Sequence, residues 1–115
     1  MGQLIAACDM VVEWNKDILS ANVYLESPAV MEKMAASCML IESIGEGVKK
    51  LDRLFPGFLG NNAPEVPWRS IKGLRDHIAH GYFNIDADIV FDVAKNELPR
   101  LSTTFARLRA LLPEE

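Results

Sequence analysis

The chain has 115 residues and a formal charge of −4, with half of its residues apolar and 24% charged. This composition is typical of one globular domain spanning 1–115, and the acidic balance argues against a general nucleic-acid coat protein. Charges interrupt every apolar stretch before the roughly 18 residues of a membrane span, and residues 1–10 lack the basic start of a signal peptide, so we expect a cytoplasmic protein without a membrane partner.

The first half of the chain predicts two helices. Apolar residues recur at intervals of three and four over 3–18, which indicates a first helix. Ser27-Pro28 combines a capping hydroxyl with a proline suited to the first turn, and the apolar repeat that follows predicts a long helix over 28–54.

Four residues within these helices carry further expectations. Gly45 and Gly47 each cost up to ~1 kcal/mol in a helix relative to alanine, so we expect close helix packing or a local bend there. Cys8 and Cys38 lie in apolar helical patterns and are expected to be small buried residues of a reduced protein. A bridge between these two cysteines is disfavoured.

The second half predicts a loop and two more helices. Prolines, glycines and an Asn-Asn pair indicate a loop over 55–66, and a third helix is expected over 67–79, with Gly81 suited to its end. Asp86 can cap a fourth helix, which Pro99 should bend or break. Since no segment alternates as a strand does, the prediction is an all-α antiparallel bundle of four or five helices.

The most informative residues are 75–82, RDHIAHGY, which place Arg75, His80 and Tyr82 at the spacing R-x4-H-x-Y. A guanidinium binds phosphate in a bidentate manner, and an imidazole exchanges protons near neutral pH. A tyrosine hydroxyl can donate, accept or be modified. The segment 67–82 also carries a local charge of +2 in an acidic chain. These residues suggest a site that handles phosphodiesters, most simply RNA, without a metal or other cofactor.

The same residues allow structural interpretations. On an ideal helix Arg75 and His80 point about 140° apart, so Arg75 can pair with an acid while His80 stabilises a helix C-terminus. His77 and His80 could share a face as metal ligands do, but no third ligand is evident. Asp76 could orient the arginine or an imidazole, or be a solvated surface charge.

Residues 66–86, VPWRSIKGLRDHIAHGYFNID, resemble the HepT-like branch of the HEPN superfamily. The Ile44-Gly45-Glu46 step upstream and the stretch from Ile89 to Pro99 downstream carry the same resemblance, which covers most of residues 28–112. It implies an all-helical homodimer in which the motifs of two protomers lie near a shared cleft.

The resemblance also implies a function. HepT-like proteins are metal-independent ribonucleases, often the toxin of a toxin–antitoxin pair whose antitoxin is a minimal nucleotidyltransferase that transfers AMP to the motif tyrosine. Carried over, Arg75 holds the scissile phosphate, His80 transfers protons and Tyr82 is the modified residue. Many relatives have asparagine where this chain has Asp76, which puts a negative charge near the phosphate. RNA cleavage by 2′-hydroxyl attack is expected, with DNA inert.

Two other classes of function remain open from the residues. A non-catalytic adaptor could grip a nucleotidyltransferase and use the motif to bind a nucleotide, and the acidic chain favours such a protein partner. A phosphate or metal enzyme based on His77 and His80 is more remote. Activity on RNA in the presence of EDTA separates these three.

Overall fold

The computed structural model describes residues 1–74, 76 and 85–112, and helices dominate this part of the chain. The elements in order are α1 (Gly2–Trp14), a 3₁₀ helix (Ala21–Leu25), α2 (Pro28–Leu54), α3 (Phe58–Asn62), α4 (Trp68–Lys72), α5 (Ala87–Asp92), a π-helical turn (Val93–Glu97) and α6 (Leu98–Arg109). These described residues contain no β-strand, which confirms the all-α prediction. Among them, no helix is both long and apolar enough to cross a membrane.

The long helix α2 packs against four other elements of the fold. The structure confirms its predicted range, and the Ser27 Oγ accepts a hydrogen bond from the Val30 N–H at 3.3 Å. Its 27 residues span about 40 Å at 1.5 Å per residue, close to the 45 Å longest dimension of the molecule. α1, the 3₁₀ helix, α4 and α5 all contact it. The buried residues of α2 are Met34, Ser37, Cys38, Ile41, Ile44, Gly45 and Val48.

The first helix is shorter than the predicted range 3–18. It ends at Trp14, and Asn15 takes φ −107° and ψ 8°, outside the helix. Ile18 is nevertheless 3% exposed, so the apolar pattern correctly marked it as a core residue but extended the helix one turn too far. The chain turns at Asn15 because that side chain is used in the core.

A buried hydrogen-bond cluster surrounds Asn15. Its Nδ2 donates to the Val11 carbonyl at 2.7 Å and to the Ser37 Oγ at 2.8 Å, while its Oδ1 accepts from the Tyr24 hydroxyl at 2.6 Å. The Ser37 hydroxyl donates in turn to the Lys33 carbonyl at 2.8 Å. Burial raises the Tyr24 pKa to about 12, so this hydroxyl remains a donor at neutral pH. The cluster ties the end of α1 and the 3₁₀ helix to α2.

The region between α2 and the motif differs from its prediction in two ways. The expected loop over 55–66 contains α3, which follows Gly57 in a left-handed conformation with φ 80°. α4 ends at Lys72, where the Gly73 N–H donates to the carbonyls of the preceding turn, but Leu74 and Asp76 are again helical. The helix expected over 67–79 is therefore interrupted at Gly73. The predicted helix end at Gly81 lies outside the described residues.

Pro99 does not break the last helix, but the turn that precedes it is distorted into a π-helix. The backbone is helical from Ala87 to Arg109 through the π-helical turn, where the Leu98 N–H bonds to the carbonyl of Val93, five residues back. A proline lacks an N–H, and its ring clashes with the carbonyl four residues before it. The wider π turn accommodates the ring, so the helix continues.

Both cysteines are free and buried, so the structure confirms the expected absence of a Cys8–Cys38 bridge. Burial raises the Cys8 pKa to about 12, with a further contribution from the neighbouring Asp9 carboxylate. Burial also raises the Cys38 pKa, as does the charge of Glu42. Both side chains therefore act as small apolar groups in the core.

Tyr24→Phe should lower the free energy of unfolding by about 1–3 kcal/mol, because the buried Asn15 Oδ1 loses its donor. Urea denaturation measures this. Ser102→Ala is the control, since it removes a hydroxyl whose 2.6 Å bond to Asp9 is exposed. The control should change stability by less than about 0.5 kcal/mol. Equal effects of the two substitutions would contradict a structural role for the buried cluster.

Candidate functional site

The predicted motif lies between α4 and α5. Arg75, His77, His80 and Tyr82 are outside the described residues, so the geometry of the site is given by its two flanks and by Asp76. The Asp76 side chain is exposed, and its backbone N–H donates to the Gly73 carbonyl at 3.0 Å. This aspartate is therefore available to a solvent-facing ligand.

The first flank is α4, and it is anchored to α6 by an aromatic pair. Trp68 is buried and its ring centroid lies 6.0 Å from that of Phe105, with the planes tilted by 34°. The Trp68 indole N–H donates to the Ala63 carbonyl at 2.9 Å, so its polar atom is satisfied in the core. A tryptophan committed in this way is a structural anchor of α4.

The opposite side of α4 is anchored to α2. The Lys72 Nζ lies 2.5 Å from the Asp52 Oδ2, and the end of α4 approaches the α2 backbone at Gly45. The sequence predicted close helix packing or a local bend at both glycines of α2, and close packing is found at each. It carried no signal for the ion pair, because its partners are 20 residues apart and lie on different helices.

The second flank begins at Ile85, which is half-buried, and continues into the cap of α5. The Asp86 Oδ1 accepts a hydrogen bond from the Ile89 N–H at 3.2 Å, which confirms the predicted cap. A capping side chain fixes where a helix begins, and its loss typically costs about 1 kcal/mol. Both ends of the motif-containing segment are therefore held by specific contacts.

The two flanks meet at a cavity of about 570 Å³. Leu74, which immediately precedes the motif arginine, lines this cavity together with Ile89 of α5. The cavity therefore lies beside both flanks of the motif. The complete lining is Glu65, Val66, Pro67, Ser70, Ile71, Leu74, Ile89, Asp92, Val93, Glu97, Leu98, Arg100, Leu101 and Thr104.

The chemistry of this cavity is unsuited to phosphate. Its floor is apolar, and three carboxylates line it against a single arginine, Arg100. Glu65 is bound by Arg107 at 2.7 Å, and Asp92 accepts from the Asn96 amide at 2.8 Å. Negative charge at the rim repels an anion.

The cations of the segment 67–82 are divided by the fold. Lys72 is committed to Asp52, whereas Arg69 is exposed on α4. Part of the local positive charge predicted from the sequence thus serves helix packing. Within 1–74, 76 and 85–112, no group of three His, Cys, Asp or Glu side chains is placed to hold a metal ion.

Residues 29–108 match the protein family described as "Ribonuclease HepT-like". The chain belongs to this family. The match contains both flanks, the whole motif and most of α2, so the HepT-like assignment concerns the part of the chain that carries the candidate site.

Individual relatives agree with the HepT-like assignment. The chain is 29% identical over 101 residues to a Methanocaldococcus jannaschii protein named "Putative RNase", covering 85% of this chain and 80% of the relative. It is 26% identical over 103 residues to the "Probable ribonuclease HepT" of Thermococcus cleftensis, covering 90% and 86%. A "Putative RNase" of Caldanaerobacter subterraneus subsp. tengcongensis is 30% identical over 98 residues, covering 85% and 80%. No solved structure matches the chain.

Proposed function

We propose that this protein is a metal-independent endoribonuclease that cleaves RNA with Arg75 and His80. The observation that carries the proposal is the HepT-like family match over 29–108, which contains both residues at the spacing R-x4-H-x-Y. The flanks support it, because α4 and α5 are each fixed to the bundle on either side of these residues.

The chemistry requires little more than these side chains. RNA supplies its own nucleophile, the 2′-hydroxyl, so the protein must provide a base, an acid and a cation that stabilises the phosphorane. His80 removes the 2′-hydroxyl proton, the oxygen attacks phosphorus, and the 5′-oxygen leaves with a proton from a second imidazole. Arg75 neutralises the phosphate. The products are a 2′,3′-cyclic phosphate and a 5′-hydroxyl, and DNA is inert because it lacks the nucleophile.

The requirement for both acid and base favours a homodimer. One protomer supplies a single motif histidine, His80, in the register of R-x4-H. Two protomers whose motifs face a shared cleft supply two such histidines and two copies of Arg75. The exposed Asp76 is then a supporting group that orients one of these side chains.

The protein is further proposed to be the toxin of a toxin–antitoxin pair, silenced by a minimal nucleotidyltransferase that transfers AMP to Tyr82. An attached AMP adds a bulky group with a negative phosphate, for which Arg75 is the natural partner through charge-assisted hydrogen bonds. The adduct would occupy the position of the scissile phosphate and repel incoming RNA. One modification would thus block the site by bulk and by charge.

A second candidate is a non-catalytic adaptor that grips the nucleotidyltransferase. The acidic rim of the cavity beside the motif favours it, because carboxylates attract a basic protein surface and repel long RNA. An adaptor would leave RNA intact, so the cleavage assay distinguishes the two functions.

RNA cleavage should persist in excess EDTA, because arginine and histidine perform this chemistry without a metal. His80→Ala should reduce the rate by about 10²–10⁴-fold, the usual worth of a general acid or base. Arg75→Ala should reduce it by about 10²–10³-fold. The assay follows a labelled oligonucleotide and its cyclic phosphate product.

His77→Ala is the matched control, because this histidine stands outside the motif register and should have a much milder effect. Circular dichroism confirms that each variant folds. Loss of cleavage on chelation would contradict the mechanism and point to His77 and His80 as metal ligands.

The protein should form a homodimer at micromolar concentration, since the shared cleft requires two motifs. Multi-angle light scattering gives the mass directly, and the dimer should be about twice the 12.8 kDa of one chain. A monomer that still cleaves RNA would overturn the shared-cleft mechanism.

Tyr82→Phe should keep the fold, since it removes one oxygen, but resist silencing by the partner. The experiment incubates each protein with the nucleotidyltransferase and ATP and locates the adenylyl mass by peptide mass spectrometry. Tyr24, whose hydroxyl is buried, serves as the internal control and should stay unmodified. Adenylyl mass on Tyr24, or on no residue, would contradict the assignment.

A further inference from the structure

The end of α4 lies directly on the backbone of α2 at Gly45. A Cβ atom added to Gly45 would lie 3.0 Å from the Ile71 carbonyl oxygen and 3.7 Å from that of Lys72. The nearer distance is below ordinary van der Waals contact, and its partner is backbone, which cannot rotate away as a side chain does. Any other residue at this position would push the end of α4 outward by a few tenths of an ångström.

A second contact holds the same end of α4. Asp52 lies seven residues after Gly45, two turns along the same face of α2. Its carboxylate is 2.5 Å from the Lys72 Nζ, with the two side chains 36% and 31% exposed. Every other ion pair within the described ranges has both side chains at least 46% exposed. Of these ion pairs, Asp52–Lys72 is the one that water screens least. It is therefore the pair best suited to hold one helix against another.

The motif arginine follows this contact closely. Arg75 is three residues beyond Lys72, so their Cα atoms can be at most about 11 Å apart. The connection is tight, because the Gly73 N–H bonds to the Arg69 and Ser70 carbonyls at 3.2 Å and the Asp76 N–H bonds to the Gly73 carbonyl. A displacement of α4 would therefore displace the start of the motif by a similar amount.

We propose that Gly45 and the Asp52–Lys72 ion pair are positioning residues, which place the motif for catalysis by fixing the end of α4 against α2. This inference rests on the ribonuclease function proposed above. Catalytic geometry is sensitive to such shifts, since a misplacement of about 1 Å can cost on the order of 100-fold in rate. Neither Gly45 nor Asp52 lies in the motif, and their influence is exerted through α4.

The chain offers a matched control for each position. A Cβ on Gly47, two residues from Gly45, would meet the Leu4 Cδ2 at 2.5 Å, which is a flexible side-chain tip on α1 and not on α4. Glu46 forms an ion pair with Lys49 at 3.1 Å on the same helix, but it is exposed and does not reach α4. Gly47→Ala and Glu46→Gln therefore disturb α2 without moving the end of α4.

The first measurement is single-turnover cleavage of an RNA oligonucleotide by the full chain. Gly45→Ala and Asp52→Asn should lower the maximal rate about tenfold or more, with the half-saturating RNA concentration changed less than about threefold. Gly47→Ala and Glu46→Gln should stay within about twofold of the wild type. Asp52→Lys combined with Lys72→Asp should recover activity relative to either single change. Wild-type rates in both Gly45→Ala and Asp52→Asn would overturn the proposal.

The second measurement does not depend on cleavage. The sequence contains only two histidines, His77 and His80, so ¹³C-labelled histidine gives two ring signals that both report on the motif. These signals and their pH titration midpoints should move in Gly45→Ala and Asp52→Asn and stay in place in the two controls. Unmoved signals overturn the positioning role. If the signals move in the two variants but the wild-type protein cleaves no RNA, the positioning contact is supported and the ribonuclease function is refuted.

Discussion

Close backbone approach along α2 is the constraint on which this fold depends. Gly45 admits the end of α4, and Gly47 admits the Leu4 side chain of α1. Each glycine weakens an isolated helix by about 1 kcal/mol relative to alanine. The cost is offset because the close approach lets neighbours on two sides of α2 bury apolar side chains such as Ile44.

A few polar contacts fix the relative positions of the helices, which apolar packing alone would allow to slide past one another. Asn15, Ser37 and Tyr24 satisfy one another in the core, and no buried side-chain nitrogen or oxygen among the described residues lacks a partner. A fully satisfied polar cluster defines one arrangement of its helices, because any slippage leaves a desolvated group unpaired. The hydrogen bond from the Trp68 indole N–H to the Ala63 carbonyl fixes the position of α4 in the same way.

The distribution of charge separates two kinds of surface around the motif. The cavity beside Leu74 and Ile89 has an apolar floor and an acidic rim, whereas the segment 67–82 is basic. An RNA backbone is attracted to the second and repelled by the first. In the proposed function, such repulsion would confine RNA to the basic segment of an otherwise acidic chain.

The sequence by itself determined the helical class, the range of α2 and the cap at Asp86, because these depend on local periodicity and on side chains that bond within one turn. It also predicted Arg75 and His80 as catalytic residues from their residue types and spacing, and this stays a prediction. It failed where distant residues decide local conformation. The predicted first helix stops early because Asn15 finds partners 9 and 22 residues away.

Only the tertiary structure decided how the candidate site is supported. Pro99 is accommodated by a π turn, and the predicted third helix is interrupted at Gly73, outcomes that the local pattern did not distinguish. The contact of Asp52 with Lys72 joins two helices across 20 residues of sequence. No periodicity encodes such a contact, since it exists only once packing has brought the two helices together.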